Sequence, residues 1–460
     1  MRQTLLSCAA LAAFGLPCRA DDTTAASETL IRLTVSPAAS PKPALRYLLL
    51  PELLEMNPGN PIQNYLKCFM EQQKFFFDKE AFERCEKLMT IPLKELPTQE
   101  LRDYGGYALK QADWAARLDT PDWEILLKMK TEGVSLLIPD VQQLRPLANA
   151  LKLRFRAEVA MGRFDDALRT AKTIFAMSRH LALHPTYVGN LVGIAIAFVA
   201  IGPLEEMLEQ PGCPNLYWAL TNLPVPLVPI DKGTEGERVG ILSEFRDLDE
   251  SAPMSAEQLK TFITHMVKLL EEPGKPMKLQ EWLDTQAKQK GTVSAAIRRL
   301  VKHGLPEERL LRFPADQVLL LDEKREYEVR RDELMKLMNL PIWQVQLLDT
   351  DVEKATKPPA IFAEILVAGV YAVRKSQARL DQRIALLRHI EALRLHAAQH
   401  DGALPATLSE IGVPLPDDPY TGKPFRYEYM GTTAHLRGSP PLAEQNNAAF
   451  NIHYELTFQK

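Results

Sequence analysis

Apolar residues recur along most of this chain at helical spacing, with proline or glycine between the runs. Leu45, Leu48, Leu49, Leu53 and Leu54 start the pattern, Pro51 interrupts it, and MNPGNP at 56–61 turns the chain. Pro61 suits the first turn of a helix carrying Tyr65, Leu66, Phe69 and Met70, closed by Phe75, Phe76 and Phe77. Further helices are predicted over 79–89, 98–118, 122–131 and 141–160. The next unit is the most distinctive. A helix with Leu147, Leu151, Phe155 and Val159 leads to Met161-Gly162-Arg163-Phe164, and Asp165-Asp166-Ala167-Leu168 opens its successor. That is the pattern of a tetratricopeptide-type hairpin, although no period of about 34 residues repeats around it. One helical hairpin in an irregular body is the expectation.

Directly behind it, Val188 to Leu204 is the most apolar run outside the N-terminus. It is apolar for about fourteen residues, against the ~20 that a spanning helix needs. Asn190 interrupts its start, and Pro203, Glu205 and Glu206 are expected to end it. A buried core helix is predicted, and no membrane span in the mature chain. Helices follow over 234–245, over 256–272 with Ser255 as N-cap, over 322–337 and over 360–399. The tail changes period. Phe425, Tyr427 and Tyr429 alternate with Arg426 and Glu428, and Ile452, Tyr454, Leu456 and Phe458 with polar residues, which signals strands. The fold class is therefore mainly α: a helical-hairpin body with a small C-terminal antiparallel sheet packed on a long helix.

The first residues read as an export signal. Arg2 precedes an apolar stretch from Leu5 to Leu16, and Cys18-Arg19-Ala20 offers small residues for cleavage after Ala20. The expected organisation is a signal peptide over 1–20, a linker over 21–43, a helical domain over 44–355, and the long helix with its strands over 356–460. Export leaves Cys68, Cys85 and Cys213, of which Cys68 and Cys85 form a candidate disulfide or two small buried hydrophobes. The net charge of −4, with acid and base interspersed, gives no footprint for nucleic acid or anionic lipid.

Catalytic motifs are missing: there is no GxSxG, no Walker-type loop, no HExxH and no GxGxxG after a strand. His389, His396 and His400 share a helix face at chelating spacing, or simply line its outer side. Asp417 and Asp418 offer oxygen ligands for calcium, or belong to the turn that Asp-Pro and Thr-Gly-Lys-Pro make by themselves. Arg154, Arg156, Arg163 and Arg169 near the hairpin invite an anionic ligand or are solvated. The five tryptophans read as packing anchors. No cofactor is expected.

Several phrases carry a resemblance. LKELP at 93–97, PDVQQLRPLA at 139–148, GRFDDALRTAKTIFAMSRH at 162–180, LVGIAIA at 191–197, PGCPNLYWALTNLP at 211–224 and LPDDPYTGKPFRYE over 415–428 occur in this order. Together they resemble a family of exported, uncharacterised proteins of planctomycete-type bacteria, which implies export and a helical body but no reaction. Separately, Gly402-Ala403-Leu404-Pro405 after a long helix, then Asp418-Pro419, Gly422 and Pro424, is similar to the C-terminal part of type II secretion pseudopilins. The chain departs from that family in lacking its prepilin N-terminus. The expected function is a non-enzymatic, exported scaffold binding protein partners in the periplasm or cell envelope. A periplasmic hydrolase with an unrecognised site and an accessory of secretion or envelope assembly are the alternatives.

Overall fold

The proline- and glycine-punctuated pattern folds into seventeen α-helices and four strands among the residues described by the computed structural model. Those residues are 28–70, 72–133, 136–270, 279–348, 362 and 370–459. The expected signal peptide lies outside them. In chain order the first elements are β1 (Thr29–Val35), α1 (Pro61–Met70), α2 (Gln73–Phe77), α3 (Lys79–Thr90), α4 (Gly106–Ala115) and α5 (Leu126–Glu132). Next come α6 (Pro139–Ala160), α7 (Phe164–Ala182), α8 (Tyr187–Leu208), α9 (Tyr217–Thr221), α10 (Asp231–Glu244) and α11 (Ala256–Leu270). The chain continues with α12 (Leu279–Ala287), α13 (Lys290–Lys302), α14 (Glu307–Leu310), α15 (Ala315–Met335), α16 (Ile342–Leu347) and α17 (Val370–Gln399). The last strands are β2 (Arg426–Met430), β3 (Thr433–Arg437) and β4 (Ile452–Phe458).

The chain divides into two compact units that do not follow the expected boundary at 356. One contains Glu124–Leu137 and Thr234–Ala372; the other contains the described residues up to Trp123, Ile138–Gly233 and Val373–Lys460. The long helix belongs with the hairpin because side chains stitch it there. Asn215 Nδ2 donates to Glu391 O at 2.9 Å, and Gln377 Nε2 to Val228 O at 2.7 Å.

In this larger unit α6, α7 and α8 pack on one another. The α6–α7 turn is built by Gly162 at φ +67°, with Arg163 N–H reaching back to Glu158 O at 2.9 Å. A side chain at Gly162 would sit in the left-handed region, so glycine ends α6 here. At the other end of α7, Asn190 Nδ2 donates to Ala182 O at 3.1 Å and His184 O at 3.2 Å. The residue expected to interrupt α8 thus caps α7. Gly193 permits the close crossing, since a Cβ there would lie 2.9 Å from Ser178 O.

α8 is longer than its apolar run. Pro203 does not end it, and Glu205 and Glu206 remain helical because arginines inside the unit receive them. Arg383 and Tyr454 hydrogen-bond Glu205, and Arg156 grips Glu206 through two contacts of 2.7 Å. By length and composition α8 is apolar enough to cross a membrane, yet 78% of that apolar window is buried inside the chain.

The sheet corrects two expectations. It is mixed, not purely antiparallel, with order β1-β4-β3-β2 and β1 parallel to β4. β1 also lies within the stretch read as a linker. Ile31, Leu33 and Val35 stand in register with Tyr454, Leu456 and Phe458, and Leu33 and Val35 are buried. Burying this alternate face stabilises a strand whose neighbours are Ala-, Ser- and Pro-rich.

The other unit packs α13 and α12 on α15. Ser255 caps α11 as expected: its Oγ accepts from Gln258 N at 3.2 Å while Gln258 Oε1 accepts from Ser255 N at 2.7 Å. Phe245, Tyr327 and Phe362 form its aromatic centre.

Candidate functional site

The hairpin places a polar network at the meeting of three helices. Arg154 and Glu158 lie one turn apart on α6, Thr170 and Thr173 on α7, and Asp113 on α4. The Arg154 guanidinium forks onto Asp113 with bonds of 3.0 and 2.7 Å. Its Nε donates to Thr170 Oγ1 at 3.0 Å, and that hydroxyl donates to Glu158 Oε2 at 2.6 Å. Thr173 donates to Asp113 Oδ1 at 2.8 Å. Burial pushes the Glu158 carboxyl up to about 7, against the pull of Arg154 and Thr170. The network can therefore hold or release one proton near neutrality. Both threonine hydroxyls donate to carboxylates, Thr170 to Glu158 and Thr173 to Asp113.

Of the four hairpin arginines, none waits for an anion. Arg154 is held by Asp113, Arg156 by Glu206 with Leu88 O and Ile91 O, and Arg163 and Arg169 by Asp166. Arg156 is nearly as buried as the core leucines, which its five-donor fork tolerates only with every branch engaged.

A second assembly has no local signal in the sequence. Glu391 and Arg394, on α17, form a wholly buried pair at 2.9 Å. Arg394 also donates to Ser36 O and Cys213 O at 2.9 Å each, and Glu391 Oε1 accepts from Leu216 N at 3.0 Å. The pair thus ties the N-terminal segment and the 213–216 loop to the long helix. On a helix, charges at i and i+3 look like an exposed pair, so spacing alone gave no sign of burial.

The residues singled out for metal do not converge. His389 is buried against the edge of Phe425, and its Nδ1 bonds Ala385 O at 2.9 Å. Burial lowers its pKa to about 4, which keeps it neutral. His396 and His400 stack on each other with centroids 3.9 Å apart. Asp418 is a turn organiser: it accepts from Tyr420 N at 3.0 Å, Ser439 N at 2.7 Å and Gln382 Nε2 at 3.0 Å. Asp417 is exposed. Among the described residues, no three His, Cys, Asp or Glu side chains are placed to hold a metal ion. Cys68 and Cys85 are free thiols in the structure. Cys68 donates to Asn64 O and is pushed up to about 12 by burial, whereas Cys85 bonds Tyr104. Each has its own local partner.

Beside Cys85 runs a shallow groove, open to solvent, lined by Phe75, Phe76, Phe82, Met89, Tyr104 and Pro146, among others. Ring contacts line its wall: Phe75 meets Phe76 edge-on at 4.8 Å and Tyr104 at a tilt at 5.1 Å. Phe77 and Phe82 are exposed at 55% and 44%, so apolar surface continues outward from α2 and α3. The aromatic run at 75–77 is the sequence signal for this surface, although a helix end of this kind says nothing by itself about exposure. Fold and site together define a mainly α chain with a small mixed sheet, buried polar networks and, among the described residues, an aromatic groove. No family model matches this chain, and no curated protein or solved structure matches it.

Proposed function

We propose that this protein is an exported, non-enzymatic binding or scaffold protein of the cell envelope, taking apolar side chains of a protein partner into the aromatic groove of α2 and α3. The observation that supports this reading is the exposure of Phe82, which lines the groove, together with exposed Phe77 at the end of the neighbouring helix α2. Exposed, contiguous apolar surface of this kind marks interaction sites. The hairpin supports the unit from within, because most of α7 is buried. The signal peptide, the tetratricopeptide-like hairpin, the resemblance to exported planctomycete-type proteins and the pseudopilin-like tail all accord with an envelope role.

A hydrolase is the second reading, favoured by Glu158 titrating near 7 beside Asp113 and Asp166. Against it, only about a tenth of the Glu158 side chain is exposed. The test is affinity capture of the tagged full chain from its native envelope, with Phe77→Asp and Phe82→Asp variants alongside. A stoichiometric partner lost in both variants, with unchanged melting, is the expected result. A partner retained by both variants overturns the assignment of the groove.

A further inference from the structure

On the sheet face opposite the long helix, His435 of β3 and His453 of β4 meet directly: His435 Nδ1 lies 2.9 Å from His453 Nε2. Glu28, just before β1, accepts from His453 Nδ1 at 3.2 Å. That contact fixes the tautomer of His453, whose proton sits on Nδ1 and whose Nε2 lone pair points to His435. A carboxylate holding the far nitrogen of an imidazole is the usual support of a metal-binding histidine. His453 is 5% exposed and His435 half-buried, so the pair is rigid on one side and open on the other.

We propose that His435 Nδ1 and His453 Nε2 together bind one divalent transition ion of tetragonal preference, copper(II) being the best match. Two nitrogens about 2.0 Å from one ion and at right angles to each other stand about 2.8–2.9 Å apart, close to the spacing already present. Binding needs no net loss of a proton above the imidazole pKa. The proton on His435 Nδ1 moves to its Nε2, and the freed lone pair takes the ion. Water completes the coordination. Glu428 and Glu455 stand in register with His435 on the two neighbouring strands. Arg437 stands in register opposite His453 but is paired with Glu428 at 2.9 Å, and Arg32 of β1 is paired with Glu455 at 3.3 Å.

The probe is copper(II) alone, titrated calorimetrically into the full chain above pH 7, with paramagnetic resonance to count nitrogen ligands. One ion per chain and two nitrogen ligands are expected. His435→Asn should weaken binding by at least about 100-fold without changing the melting temperature of the free protein, and Glu28→Gln by roughly 10–100-fold. His400→Ala should leave binding unchanged. Binding that survives His435→Asn, or that His400→Ala abolishes instead, overturns the proposal. So does the absence of any binding at millimolar ion.

Discussion

Two arginine–carboxylate assemblies in the larger unit use the same residue types to opposite ends. Around Arg394 and Glu391 the guanidinium is spread over a carboxylate and three backbone carbonyls, and the carboxylate takes a backbone N–H. Around Arg154 and Glu158 the arginine is spent on Asp113, and Glu158 receives one hydroxyl and only a distant arginine at 3.9 Å. Both glutamates are raised by burial. The first is nevertheless wholly enclosed with its counter-charge in contact, while the second faces neighbouring carboxylates. Enclosure and partner count, not residue identity, separate a structural clamp from a group able to exchange protons.

The comparison breaks most visibly at Arg394. Replacing it with Met leaves Glu391 buried without its counter-charge, and Ser36 O and Cys213 O without a donor. Urea unfolding should show a loss of about 3–5 kcal/mol. Adding Glu391→Met should recover only part of this, because Leu216 N then joins the unpaired backbone groups.

Glu158 sharpens the contrast through pH. Its native carboxyl keeps a proton up to about 7, whereas an unfolded glutamate releases it near 4.5. Stability from this group is complete below pH 4.5 and is lost as pH rises through 7. Glu158→Gln cannot lose that proton. It should therefore be more stable relative to wild type at pH 8 than at pH 5, by about 1–3 kcal/mol in thermal unfolding at the two pH values.

Thr170→Val removes the bridge between Arg154 and Glu158. A loss of about 1 kcal/mol is expected, with the Glu158 titration followed by NMR moving further upward. The smallest effect belongs to an exposed pair such as Arg84 and Glu100, both more than half exposed. Arg84→Ala should change stability by less than about 0.5 kcal/mol.

Legibility followed the range of the interactions. The α6–α7 hairpin and α8 could be read because Gly162, the acidic pair 165–166 and an apolar run are local signals. The tail strands β2 and β4 were legible from alternation. β1 was not: its partner lies more than 400 residues away, and its seven residues sit in a proline- and alanine-rich stretch. β3 has only Ala434 and Leu436 on its core face, too few to signal a strand. Asn190 looked like a flaw in an apolar run because the carbonyls it caps belong to the preceding helix. The Arg154, Glu391 and histidine-pair networks were hidden for the same reason, as each depends on side chains or backbone brought together from distant segments.

The claim that the polar networks are internal and that the aromatic groove meets a partner is tested most directly by photo-crosslinking in the native envelope. Benzoylphenylalanine would replace Phe82 at the groove, Asp166 on the hairpin, or Val225, which is exposed at 75% elsewhere in the unit. The account predicts one discrete protein adduct from position 82 and none from 166 or 225. Adducts from 166 or 225 with none from 82 would contradict it.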